Sequence, residues 1–476
     1  MSTSAPPVPT AGARHEARDA AYIDRARPVP RWWRDASVTL FWGLLTWVTA
    51  LWVAGGGVPE LGTTAGALTG LGRVSGLVAS ALLLVQVFVM ARVPWFEQAW
   101  GQDSLARTHR MVGFTSFNLL WAHIVLITLG YAASSPEGLW GTIVDLVLDY
   151  PGMLLAVAGT AALCMVVLTS LRRARARLRY ESWHLIHLYG YLGAGLALPH
   201  QLWTGQEFRT SRASTVTWWS LYAACLGAVL LFRVVLPLWH SLRAPLHVVA
   251  VRSEAPGVTS VLVGGLGVRR LAVRPGQFFQ WRFLDGPGWT RANPYSLSAA
   301  PDGHHLRITA AHVGHGAARL ATLRPGTRVL VEGPYGRLHA GVRSQRKVLL
   351  MGGGIGITPL RALLEGLEQG PGDVVVVHRA SAHDRLVLSG ELARLADARG
   401  ARYITVAGPR IEGRASWLPQ AAAHLTDGQA LAELVPDVAE RDVFLCGAPG
   451  WMDAARAAAL DCHVPAEQIH LERFTY

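Results

Sequence analysis

The chain has 476 residues, 51% of them hydrophobic, and 44 Lys and Arg against 32 Asp and Glu give a formal net charge of +12. Such a length leaves room for two or three domains. The four cysteines, Cys164, Cys225, Cys446 and Cys462, are scattered, which excludes a disulfide framework and a zinc site. The basic excess sits largely at the ends of apolar stretches, so it marks membrane topology and excludes nucleic acid as a partner.

Residues 1–36 are rich in Ala, Pro and Arg, lack the pattern of a cleaved signal peptide, and read as a disordered cytoplasmic tail. Six apolar stretches follow, at about Ser37–Val53, Val74–Ala91, His109–Tyr131, Met153–Leu171, Trp183–Trp203 and Thr215–Leu238. Each comes near the ~20 residues that a spanning helix needs, so residues 37–240 are expected to form a six-helix transmembrane bundle in the lipid bilayer. Arg14, Arg18, Arg25, Arg27, Arg31 and Arg34 precede the first stretch, Arg107 and Arg110 open the third, and Arg172, Arg173, Arg175, Arg177 and Arg179 separate the fourth from the fifth. The opposite connections carry Glu60, Glu137, Asp145, Asp149 and Glu207, with only Arg73, Arg209 and Arg212 as basic residues. The asymmetry predicts a multi-pass protein of the cell membrane with both termini cytoplasmic.

Ionisable side chains at membrane depth are costly, which makes four histidines candidate functional residues. His109 and His123 lie in the third stretch, and His187 and His200 in or at the end of the fifth. At about 1.5 Å per residue the first pair lies roughly 21 Å apart, inside a hydrocarbon core of about 30 Å. Both stretches enter from the cytoplasmic side, so His109 and His187 share an inner level, and His123 and His200 an outer one. Two imidazoles at each level are the axial ligands of a b-type haem, a ligation that favours electron transfer. The first pair falls within roughly 40° of one helix face, whereas a straight helix would put His187 and His200 roughly 140° apart. Pro199 with Gly190, Gly193 and Gly195 provides a site for a bend. His184 competes with His187 as a ligand, while His240 and His247 read as interface residues.

After Pro245 short alternating runs (His247–Val251, Thr259–Val263, Phe278–Phe283, Leu306–Ala310) predict an antiparallel β-barrel over 241–340. Gly314-His-Gly316 opens a helical stretch, Ala317–Leu323, and a glycine-bearing helix start can receive a pyrophosphate. From 341 to 476 strands and helices alternate as a doubly wound α/β domain. Strands are expected at Lys347–Met351, Asp373–His378, Tyr403–Val406 and Asp442–Cys446, and helices at Leu360–Glu368, Gly390–Ala398 and Met452–Leu460. Its glycine turn, Gly352-Gly-Gly-Ile-Gly-Ile-Thr-Pro359, stands where a strand meets a helix, although its spacing is not Gly-x-Gly-x-x-Gly.

As a set these residues resemble the ferric reductase and NADPH oxidase superfamily from about Ser37 to Tyr476. In that family a two-haem, six-helix domain joins a module similar to ferredoxin-NADP reductase. Its ligand separations of 14 and 13 residues are matched by His109 to His123 and His187 to His200, which selects His187 over His184. Pro275-Gly-Gln-Phe278, Pro294-Tyr-Ser296, Glu332-Gly-Pro-Tyr-Gly336, Gly353-Gly-Ile-Gly-Ile-Thr-Pro359, Cys446-Gly-Ala-Pro449 and Glu472-Arg-Phe474 follow in the family's order. The resemblance implies an FAD site at Asn293, Pro294, Tyr295, Ser296, Gly314 and Gly316. It implies a nicotinamide cofactor's pyrophosphate on Gly353, Gly354, Gly356 and Thr358, with Gly447 and Pro449 beside it. Cys446 would border the hydride path, and Phe474 or Tyr476 would cover the flavin. Asn293 and Ala317 stand where the family usually has a cation and a hydroxyl, leaving backbone amides and Arg291 to hold a flavin that exchanges readily.

Arg379 follows the strand expected at Asp373–His378, with Ser381 two residues on and no acidic residue before Asp384. An arginine there suits a 2′-phosphate, so NADPH is expected ahead of NADH. The expected activity is transfer from cytoplasmic NADPH through FAD and two haems to a small extracytoplasmic acceptor, a ferric chelate or molecular oxygen. Two other readings stay open: electron donation to a dedicated protein partner, and a histidine-relay carrier or channel with a redox-sensing soluble domain.

Overall fold

A computed structural model describes residues 32–175, 177–178, 180–206, 211–243, 245–286, 292–313 and 315–473. The expected N-terminal tail therefore lies outside the described residues up to position 31. The described chain separates into two compact units, one formed mainly by residues 31–234 and the other mainly by residues 235–475.

The first unit is helical: α1 (Trp32–Ala54), α2 (Thr64–Val89), α3 (Gln102–Ala132), α4 (Met153–Ser170), α5 (Tyr180–Trp203) and α6 (Arg212–Leu230), with a shorter helix Gly138–Leu148 between α3 and α4. The Thr63 hydroxyl accepts from Gly66 N and the Ser211 hydroxyl from Ser214 N, which caps α2 and α6. The Thr63 cap starts α2 ten residues before the apolar run at Val74, because the intervening small residues are helical without being strongly apolar. Phe114, Trp140, Leu185 and many other large apolar side chains are exposed on this unit, as lipid-facing surfaces require. Inside it, Val48, Ala81, Leu84, Trp218 and Cys225 join α1, α2 and α6 into one apolar cluster. Helices α4 and α5 meet backbone to backbone: a Cβ on Gly159 would stand 2.7 Å from the Gly193 carbonyl oxygen.

Among the described residues five helices are long and apolar enough to cross a membrane: Trp32–Ala54, Thr64–Val89, Ser104–Ala132, Met153–Ser170 and Arg212–Arg243. Six were expected. The stretch at Trp183–Trp203 is helical as α5 but falls outside this set, because His184, His187, Pro199, His200 and Gln201 dilute its apolar content.

The second unit holds two sheets. The first is antiparallel, in the order β4-β3-β6-β1-β2-β5, from β1 (Leu246–Ala255), β2 (Val258–Gly264), β3 (Phe278–Phe283), β4 (Asn293–Ser296), β5 (His305–Ala311) and β6 (Arg328–Tyr335). Instead of the continuous ladder of a barrel, one bridge, Leu297 to Ile308, links its two edges. The core contains Val248, Val261, Phe279, Trp281, Leu297 and Ile308, all fully buried.

The second sheet is parallel, in the order β11-β10-β7-β8-β9, from β7 (Val348–Gly353), β8 (Val374–Ala380), β9 (Arg402–Ala407), β10 (Asp442–Cys446) and β11 (Ile469–Leu471). Period-two alternation sends Leu350, Val374 and Val376 to the face covered by α7 (Ile357–Gly366) and α8 (Ser389–Ala398). Leu349, Met351, Val375 and Val377 pack on α9 (Asp427–Leu434) and α10 (Pro449–Asp461). Helices thus cover both faces, and β10 and β8 flank β7, so the strand order reverses beside β7, the place where open α/β sheets bind ligands. Helix α9 was not expected, although its Thr426–Gln429 capping box is readable in the sequence.

Candidate redox site

In the helical unit the structure brings the histidines together in pairs. The rings of His109 on α3 and His187 on α5 face one another, 5.9 Å between centroids with 63° between planes. His184 lies within electrostatic reach of both His187 and Arg233. His200 lies within electrostatic reach of His123. Nδ1 of His109 is 3.1 Å from the Gln86 carbonyl, and Nδ1 of His123 is 2.7 Å from that of Gly72. An imidazole anchored through Nδ1–H to a carbonyl presents a bare Nε2, the usual arrangement of a metal-bound histidine. His187 Nδ1 is 3.3 Å from the Ser170 hydroxyl. A Cβ on Gly76 would stand 2.5 Å from His123 Nδ1, so glycine is what admits that ring beside α2. No group of three or more metal-ligating side chains occurs among the described residues, but bis-imidazole ligation needs only two.

In the antiparallel sheet β4 carries Asn293, Pro294, Tyr295 and Ser296 along β3, with Tyr295 opposite Phe279. Trp281 Nε1 donates to the Tyr295 carbonyl at 2.9 Å. Burial pushes the Tyr295 phenol up to about 12, so it stays a neutral donor. Ser296 Oγ is buried without a hydrogen-bond partner among the described residues, an orphan that a flavin edge would satisfy. A Cβ on Gly316 would stand 2.6 Å from Asn293 Oδ1, which brings the two expected flavin segments into contact. Gly336, at φ +95°, abuts the buried Glu472 carboxylate and draws in the C-terminal motif. Gly314, Arg291, Phe474 and Tyr476 lie outside the described residues.

In the parallel sheet β7 ends in a 3₁₀ turn, Gly354–Gly356, that runs into α7. Gly354 has φ +57°, where glycine avoids strain. A Cβ on Gly356 would stand 2.3 Å from the Cys446 carbonyl oxygen, so this turn and the Cys446–Gly447 turn touch through their backbones. Cys446 is fully buried. Pro449 opens α10, and the Trp451 ring lies where Cβ atoms on Gly353 and Gly447 would be. Sequence reading missed Trp451, whose signal is an aromatic two residues beyond the Cys446–Pro449 motif. The buried Thr358 hydroxyl donates to the Ile355 carbonyl at 2.9 Å, fastening the turn.

Arg379 requires a correction. It shares the inward face of β8 with Val375 and Val377, is only 5% exposed, and spends its guanidinium on backbone carbonyls. Nε donates to Trp417 O at 3.1 Å and Nη2 to Pro409 O at 3.2 Å, with Ala380, Val406 and Leu418 also accepting. It tethers the 409–418 loop, so its guanidinium is already engaged by backbone carbonyls where a 2′-phosphate partner was expected. Ser381 and Arg410, both exposed, stand just beyond the ends of β8 and β9. Arg379→Ala should lower stability by roughly 2–4 kcal/mol, since several buried carbonyls lose their donor, each worth about 1–3 kcal/mol when left unmet. Thermal denaturation with cofactor preference measured alongside checks this. A changed NADPH-to-NADH ratio at unchanged stability would contradict it.

The family model for the ferric reductase like transmembrane component matches residues 75–198. Ferredoxin–NADP reductase B of Sorangium cellulosum is 30% identical over 241 residues, 48% of this chain and 96% of that protein. The ferredoxin reductase component of 3-ketosteroid-9-alpha-monooxygenase from Mycobacterium tuberculosis is 32% identical over 211 residues, and the flavohemoprotein of Chromobacterium violaceum 30% over 218. The chain spans about half the length of these two relatives, 56% and 53% respectively. A solved FAD/NAD-binding domain of nitric oxide dioxygenase from Vibrio cholerae is 24% identical over 48% of this chain and 98% of that one, with TM-score 0.40. Fold and sequence define a ferric reductase-like transmembrane domain followed by a ferredoxin reductase-like module of an antiparallel and a parallel sheet domain. The chain belongs to the ferredoxin–NADP reductase family through its C-terminal module, which is fused to a ferric reductase-like transmembrane domain.

Proposed function

We propose that the protein carries electrons from cytoplasmic NADPH through FAD and two b-type haems across the cell membrane to a small acceptor outside, a ferric chelate or molecular oxygen. The observation that carries the reading is the pair of facing imidazoles, His109 and His187, 5.9 Å apart inside an apolar helical unit. The carbonyl anchors on His109 and His123 support the same reading, because they leave Nε2 of each ring bare for iron. The arginine asymmetry supports both termini on the cytoplasmic side and all six helices, α5 included, as spans. Bound haems would supply one-electron transfer, and bound FAD would divide each hydride into single electrons.

The chain's own part is positioning. Tyr295 and Ser296 present a phenol and a hydroxyl as donors to the flavin. The α7 N-terminus offers backbone N–H groups to a pyrophosphate at Gly353, Gly354 and Gly356. Cys446, at the end of β10, excludes water beside the transferring hydride. Ser381 and Arg410 remain to favour NADPH. Arg410→Ala should weaken NADPH use by about tenfold, as loss of one charge-assisted contact of roughly 1.5 kcal/mol predicts, and leave NADH use unchanged; equal losses with both cofactors would remove this role.

An anaerobic reduced-minus-oxidised spectrum of detergent-solubilised protein, with NADPH as reductant, tests the whole route. The expected result is flavin bleaching followed by b-type haem bands. A purified, folded protein without haem absorbance overturns the route. Parallel assays of ferrous iron and superoxide then assign the acceptor.

A further inference from the structure

Two carboxylates of the parallel-sheet domain reach the strand segment that follows the flavin motif. Ser298 is fully buried two residues beyond Ser296. Its Oγ accepts from Arg307 Nε at 3.0 Å and from the Thr309 hydroxyl at 2.7 Å, and its carbonyl accepts from Arg307 Nη2 at 2.7 Å. The remaining arm of Arg307, Nη1, reaches Glu391 of α8 at 3.0 and 3.2 Å. Glu391 is also paired with Arg361 of α7 at 2.5 Å, and Arg361 in turn with Glu365. Glu365 Oε2 returns to the first domain and accepts from Ala300 N at 2.6 Å.

The result is an alternating chain, Arg307, Glu391, Arg361, Glu365, anchored at both ends on the 298–300 segment. Arg361 and Glu365 lie one and two turns along the helix whose start carries the glycine turn. The two domains are joined covalently only through residues 336–347, and such domain pairs move relative to one another unless contacts prevent it.

We propose that these four residues are positioning residues that hold the Tyr295–Ser298 segment and the head of α7 in one fixed relation, so that nicotinamide and flavin meet at reacting distance. The inference rests on the hydride route proposed above. Positioning errors of about 1 Å can cost about 10²-fold in rate, which makes such a clamp kinetically visible.

The test uses the full chain in detergent, saturated with FAD, and follows flavin bleaching by saturating NADPH in single turnovers. Arg307→Met and Glu391→Gln should slow bleaching by about ten- to a hundredfold, with FAD content, the NADPH dissociation constant and reduction by dithionite within about twofold of wild type. The double variant should be no slower than Arg307→Met, because the two residues act as one unit. Arg394→Met, exposed on the same helix, should bleach at the wild-type rate. Should Arg307→Met lose FAD, Glu391→Gln decides, its side chain being 26% exposed and tolerant of an isosteric change. Bleaching within twofold of wild type in the FAD-loaded variants overturns the proposal, as does loss of FAD from both. An FAD-loaded wild-type chain that neither nucleotide reduces would instead overturn the proposed function, before any variant is made.

Discussion

Replacement of His109 or His187 by Ala is expected to remove the inner haem and to stop electron flow from flavin to the outer level. Flavin reduction by NADPH and transfer to a flavin-level dye such as ferricyanide should persist. A bis-imidazole site that loses one ligand loses half of its axial coordination, and among the described residues the only further imidazole within electrostatic reach of His187 is His184, which also lies within reach of Arg233. His123→Ala or His200→Ala should behave differently, leaving an inner haem that NADPH still reduces but that has no onward carrier. Haem content per chain and anaerobic reduction spectra of the four variants distinguish the two classes. If an outer-level variant, folded and loaded with a single haem, resisted NADPH, the proposed order of carriers would be wrong.

Gly356→Ala carries the second large effect. Its new methyl would stand 2.3 Å from Cys446 O, 2.6 Å from Cys446 C and 2.7 Å from Gly447 N. All three neighbours are backbone, so no side chain can rotate away, and the two turns must separate. A loss of at least about 1–3 kcal/mol is expected from overpacking alone. Reduction of the flavin by NADPH should fall much further, because the moved turns are the ones expected to receive the cofactor. Gly354→Ala is the control: its methyl would meet open space, and only the positive φ costs, about 1–2 kcal/mol. Thermal denaturation with single-turnover flavin reduction separates the two. A Gly356→Ala protein reduced at the wild-type rate would refute the contact between the turns.

Local chemistry made much of this architecture readable. The ~20-residue apolar runs, the period-two strands and the glycine turn at Gly353–Gly356 depend on neighbours within a few positions, and an element occurs at each of them, although α2 and α3 start ten and seven residues before the expected runs. A boundary shifted where a cap outweighed the apolar run, as at Thr63, and the diluted composition of α5 kept it out of the set of helices apolar enough to span. Arg379 shows the other limit. Its place at the end of a strand suggested a ribose-facing cation, but strand parity puts it with Val375 and Val377, and three of the carbonyls it satisfies come from residues 30 to 39 positions away.

By itself the sequence determined the class of each segment, the spacing of the histidines along their helices, and the order of flavin and nucleotide motifs, because periodicity, turn geometry and motif spacing are properties of the chain in one dimension. Only the tertiary structure decided that the His109 and His187 rings stand 5.9 Å apart, that Asn293 lies against Gly316, and that Trp451 covers the glycine turn. It also decided that Arg307 and Glu391 join across two domains. Each of these is a contact between residues far apart in sequence, selected by helix packing and sheet register, and no local preference encodes it.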